Sequence, residues 1–323
     1  MTNKEIYQKT LTFSLRRFII DLLAFLLLGG FATAGFFLMN KVNDQGLVGL
    51  LIGLFIGLFV IGLILKFVGF RYKAGQIAMM TKGVTENALP DDVYAEGKRI
   101  VKERFTSVLA FFAVTGAIRA LFNQIGRGIS NVGEKLGGDT GSGIASAVNS
   151  GVQTVIGYLC DCCLGWVFFR KEQKTTKAAL EGAAIFFKHG KTLLKNVGRI
   201  FGMTLLTFIL IGGAFFGIFF GIFSMLPAAF SRLTEEMVEM SVRFEFELPA
   251  ALQDPKTVVI VAAAIAALII FGIVHSVFVR PFILVGVLRN YMESGKNDIP
   301  SEEAVKEIGG RSSRFQKLLV GDL

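Results

Sequence analysis

Residues 201–225 carry no charged side chain, and no other feature constrains the fold of this chain as tightly. About 20 apolar residues in a helix cross the ~30 Å hydrocarbon of a bilayer, so Phe201–Met225 is expected to span a membrane. Immediately before it, Arg170–Ile200 holds eight Lys or Arg against two Glu. There Lys188, Lys191, Lys195 and Arg199 recur every three or four residues beside an apolar stripe of Phe187, Leu194, Val197 and Phe201. This periodicity predicts a helix lying on anionic lipid headgroups, with those four cations as its headgroup contacts.

Further apolar runs make the chain an all-α, polytopic integral membrane protein. A polar arm, residues 1–17, precedes a first hairpin over 18–70, with spans at Phe18–Met39 and at about Gly46 to Phe70. A charged, amphipathic segment follows over 71–104. Residues 105–169 read as a second hairpin or as a re-entrant region, because Phe105–Phe122 is short and contains Arg119, while Gly143–Phe169 contains Asp161. The basic amphipathic helix occupies 170–200. A third hairpin covers 201–279, with an acidic outer loop at 227–256, and 280–323 is basic again. Basic flanks belong on the cytoplasmic side, so an even number of crossings must separate 71–104 from 170–200. The favoured reading has six transmembrane helices, cytoplasmic amphipathic helices and both termini cytoplasmic, in the cell (inner) membrane of a bacterium.

The formal charge of +9 is assigned to this topology and not to nucleic acid, since the cations cluster beside apolar segments. Membrane lipids, anionic ones above all, are the expected partners. The 37 glycines suit close helix contact. Gly49, Gly53 and Gly57 form one ridge at four-residue spacing, and Gly213, Gly217 and Gly221 form another. Each ridge can pack a helix of the same chain or of a second copy in a homo-oligomer.

The second and last spans carry an echo. Met80-x-x-Gly83 precedes Asn87-Ala-Leu89-Pro90-Asp91-Asp92, and Met292-x-x-Gly295 precedes Asn297-Asp-Ile299-Pro300-Ser301-Glu302. In each copy a helix is expected to leave the membrane, end at the glycine, turn, and restart with Asp91 or Ser301 as N-cap. Duplicated architecture of this kind occurs in transporters, and turn chemistry alone produces the same pattern.

Few residues are candidates for chemistry. Cys160, Cys162 and Cys163 lie within one apolar run, where Cys160 and Cys163 could offer two ligands of a soft metal; small packing residues are the default reading. An ionisable group in a span faces a partner or a cavity, so Asp161, with Arg119 as its partner, and His275 in the last span are the candidate pathway residues. No catalytic triad, paired acidic motif or phosphate-binding glycine loop is present. The chain is therefore expected to be non-enzymatic and without a cofactor.

Through Cys160, Cys162 and Cys163, then Leu193-Leu194 and Asn196-x-x-Arg199-Ile200, and again over Phe282–Gly295, the C-terminal half resembles the choline transporter-like family. The layout is also similar to that of bacterial polytopic inner-membrane proteins. The family resemblance implies a carrier for a small solute or lipid. A cation–π cage would need converging Trp or Tyr, and Tyr158 and Trp166 are the aromatic residues of that type within the spans. Two functions stay open: a membrane scaffold or homo-oligomeric assembly, and a transporter or channel.

Overall fold

The computed structural model describes residues 1–43, 45–104, 106–111, 115–120 and 141–310. Every regular element among them is helical. In chain order these are α1 (Asn3–Asn43), α2 (Gly46–Ile64), α3 (Phe70–Glu86), α4 (Val93–Glu103), α5 (Gly141–Phe169) and α6 (Thr175–Thr207). Then come α7 (Gly213–Ser224), α8 (Pro227–Arg243), α9 (Pro255–Val274), α10 (Arg280–Asn297) and α11 (Glu302–Gly310). Helical residues also occur at 106–111 and 115–120.

Three π-helical turns, Leu65–Gly69, Phe208–Gly212 and His275–Val279, fuse successive helices into rods. The rod from Gly46 to Glu86 has 41 residues, and that from Pro255 to Asn297 has 43. At 1.5 Å per residue each is about 60 Å long, twice the hydrocarbon thickness. Each rod is therefore about twice as long as an upright crossing needs. Among the described residues four helices are long and apolar enough to cross: Asn3–Val42, Gly46–Glu86, Ile200–Ser224 and Pro255–Asn297.

This corrects the six-span reading. The apolar part of α5 is Gln153–Phe169, shorter than a crossing needs. Its side chains are apolar because they fill a protein core: Cys162, Trp166, Leu164 and Val167 are buried at 1% exposure or less. Hydropathy does not distinguish a side chain surrounded by protein from one surrounded by lipid. Within the expected second hairpin, residues 121–140 lie outside the described residues.

Two compact units divide the chain. The first comprises Met1–Ser14, Arg71–Met203 and Arg280–Leu323. Its core joins Ile77, Met79 and Met80 of α3, Trp166 of α5, Ala179 and Ala183 of α6, and Ile283, Leu288 and Tyr291 of α10. Helix α4 adds Val93 to a cluster with Phe13 and Met79. Its N-cap is Asp92, which accepts from the Ala95 N–H at 2.8 Å; the sequence reading placed the cap one residue earlier, at Asp91. Helix α3 runs three residues past Gly83 and ends at Asn87, whose φ of 55° is the left-handed geometry that asparagine tolerates at a helix end. Ser301 accepts from the Ala304 N–H at 3.3 Å at the start of α11.

The second unit, Leu15–Phe70 with Thr204–Val279, holds the lipid-crossing hairpins. In the first hairpin the α1 and α2 backbones touch. A methyl group at Gly49 would overlap the Gly35 carbonyl, and one at Gly53 would overlap the Phe31 carbonyl. In the second hairpin α7 packs on α9, with Phe208 edge-on to Phe271 at 5.2 Å. There Gly213, Gly217 and Gly221 have nothing within 4 Å of where a side chain would begin. Helix α8 connects α7 to α9 and also reaches the α1–α2 turn, where Glu236, Glu239 and Arg243 lie near Asn40 and Gln45.

Candidate functional site

Asp161 is 4% exposed, in the first unit, and two cations hold it. The Lys73 ammonium stands 2.5 Å from its Oδ1, and the Arg280 guanidinium donates to its Oδ2 at 2.7 Å. Lys73 lies four residues beyond the π turn Leu65–Gly69, and Arg280 directly follows the π turn His275–Val279. Both rods thus deliver a cation to one carboxylate on α5. A π turn adds a residue to the helical repeat and so re-aims every later side chain, which is the local device that such turns provide near sites.

The surroundings fit the guanidinium closely. Arg280 lies over the Tyr158 ring at 5.3 Å, and a methyl at Gly157 would come within 2.9 Å of its terminal nitrogen. Glycine leaves that approach open without displacing the guanidinium. The Arg280 Nε and the Tyr158 hydroxyl have no hydrogen-bond partner among the described residues. Burial by itself would raise the Asp161 carboxyl, but the charges of Arg280 and Lys73 and the hydrogen bonds from both outweigh it and hold the group below its ordinary value. A carboxylate held this way stays ionised near neutral pH and is poorly suited to carry a proton.

The structure brings Arg119 near Cys160, where it opposes the effect of burial on that thiol, and leaves Asp161 to Lys73 and Arg280. Burial, then the Asp161 charge, pushes the Cys160 thiol up to about 11. Burial also raises Cys162 and Cys163 well above the usual range. Burial thus disfavours the thiolate form of all three. His275 belongs to the second unit, with its Nε2 3.3 Å from the Thr204 hydroxyl.

A second buried carboxylate supports the same core. Glu181 accepts from the Trp166 indole at 2.8 Å and from Arg170 Nε at 3.0 Å. Tyr291 donates to the Gly182 carbonyl at 2.7 Å. Of the four predicted headgroup cations, Lys188 pairs with Asp298 at 2.6 Å in the turn before α11. The side chains of Lys191, Lys195 and Arg199 lie outside the described residues. Sequence reasoning missed Lys73 and Arg280; the available signal was that each follows one of the two echoed spans. The chain matches no family model, no curated protein and no solved structure.

Proposed function

We propose that this chain is a non-enzymatic, four-span membrane scaffold that self-associates within the bilayer, with the first unit and both termini on the cytoplasmic side. The observation that carries this reading is how little the spans bury within one chain. The most apolar windows of Asn3–Val42 and Ile200–Ser224 are 6% and 0% buried. The bare glycines of α7 support it, since a small-residue ridge lets a second helix approach until the backbones touch. The basic segments within the first unit support the proposed orientation through the positive-inside effect.

Counting subunits by single-molecule photobleaching in liposomes tests the proposal. Wild type is expected to bleach in several steps and Gly217→Leu in one; a wild-type protein that bleaches in one step at all densities would overturn it. A carrier for a small solute is the second reading, and the paired rods favour it as a duplicated architecture. Its candidate residues are divided, with Asp161 and Arg119 in the first unit and His275 in the second. Choline uptake into proteoliposomes that is lost in a folded Asp161→Asn variant would favour this reading over the scaffold.

A further inference from the structure

At the end of the second hairpin the first residues of α8 and α9 and the last turn of α7 line a half-open cavity of about 630 Å³. This is within the range of about 300–1,000 Å³ usual for small-ligand sites. Its apolar lining is Phe220 and Phe223 of α7 with Val259 and Ile260 of α9, of which Phe220 and Ile260 are themselves exposed. The rim is polar and consists of Ser224, Ser231, Asp254 and Lys256. Ser224 ends the third candidate span and Pro255 opens the fourth, so the rim lies where hydrocarbon gives way to headgroups. One helical turn, about 5.4 Å, separates Ser224 from Phe220 and Lys256 from Ile260. The cavity therefore changes from polar to apolar over the same depth as a lipid.

The rim also has unused donors. Ser224 and Ser231 make no side-chain hydrogen bond among the described residues, and the Lys256 ammonium donates no hydrogen bond, its charge acting on the neighbouring Asp254 carboxylate. Helix α8 begins at Pro227, in the cavity wall, without a side-chain cap, and its N-terminal dipole favours an anion there. Asp254 opposes this with a negative charge. Its carboxylate is engaged as the α9 cap, accepting from the Thr257 hydroxyl at 2.9 Å and from the Thr257 and Lys256 N–H groups at 3.1 and 3.3 Å.

We propose that this cavity binds one glycerophospholipid, with the phosphate held by Lys256, Ser224 and Ser231 and one acyl chain lying along Phe220, Phe223, Val259 and Ile260. The site holds whether or not the chain self-associates. Native mass spectrometry on the full-length, delipidated protein tests it, with palmitoyl-oleoyl phosphatidylglycerol as one probe and the matching diacylglycerol, which lacks the phosphate, as the other. Wild type is expected to retain one phosphatidylglycerol per chain and to bind diacylglycerol at least tenfold more weakly. Lys256→Gln, at an exposed position, should weaken phosphatidylglycerol about tenfold. Ser231→Trp, which fills the cavity, should remove the adduct while leaving the circular dichroism unchanged. If both variants retain phosphatidylglycerol as wild type does, or if diacylglycerol binds equally well, the bound lipid is annular only and the site does not exist.

Discussion

The two long-rod repeats use nearly the same parts to different ends. Each sends a helix into the membrane and returns by a rod with a π turn 19 or 20 residues in; each then turns at Leu-Pro-Asp or Ile-Pro-Ser and restarts a short amphipathic helix. The first repeat closes tightly, with Gly35, Gly49 and Gly53 bringing two backbones into contact. The second inserts α8 between its spans and leaves Gly213, Gly217 and Gly221 bare. The same four-residue glycine spacing therefore has two outcomes. In lipid there is little hydrophobic drive between helices, so a glycine ridge packs only where a matching surface is presented. The second ridge finds no such surface among the described residues of its own chain.

Asp161→Asn acts on both repeats and should have the largest effect, because it leaves two cations without their counter-charge. Breaking a buried pair by removing one partner costs about 3–5 kcal/mol, measurable by thermal unfolding in detergent. The carboxyl is held below its ordinary value, so its contribution is present above an unfolded pKa of about 3.9 and is lost as pH falls through the lower folded value. Unfolding temperature should not respond to this group between pH 5 and 8, and should fall below about pH 4. A carboxyl that titrates near pH 6 by infrared spectroscopy would refute the clamp.

Replacing the cations one at a time separates the repeats. Truncating one partner of a buried charge pair costs about 2–5 kcal/mol. Arg280→Met is expected near the upper end, since it also removes the contact with Tyr158, and Lys73→Met near the lower end. Equal losses would mean that the ring contact contributes nothing. Gly49→Leu forces a side chain onto the Gly35 carbonyl and should cost about 1–3 kcal/mol or more. Gly217→Leu should leave monomer stability within about 0.5 kcal/mol, since its position is open. A comparable loss at both glycines would end the distinction between the ridges. The smallest effect is expected from Lys188→Gln, at most about 1 kcal/mol, because its pair with Asp298 is half exposed.

The lipid-crossing helices were legible because a run of apolar residues without charge has few alternatives to a bilayer. The turn echo was legible in the same way: Asn87, Pro90 and Pro300 restrict the backbone locally, so spacing alone identifies them. Gly143–Phe169 was favoured as a crossing, over a re-entrant region, for a physical reason. A core surrounded by α3, α6 and α10 selects the same side chains as lipid, and Asp161 looked like an intramembrane charge only because Lys73 and Arg280 are 88 and 119 residues away. Arg119 was chosen as its partner because it was the nearest cation in an apolar run. Long-range pairing leaves no local periodicity, and Lys188, called a headgroup contact from its helical face, has its partner 110 residues on.

The three-residue clamp also imposes an order in time. Lys73 and Asp161 are synthesised well before Arg280, which is 119 residues beyond the carboxylate. At about 5–20 residues per second the ribosome needs roughly 6–24 s to cover that distance. Throughout that interval the nascent chain has one cation for its buried acid, and the second arrives only with the final rod. Completion of the core is thereby tied to the residues that follow the last span, so a chain truncated just before residue 280 is expected to leave the core unfinished even though the apolar parts of all four candidate spans are already made.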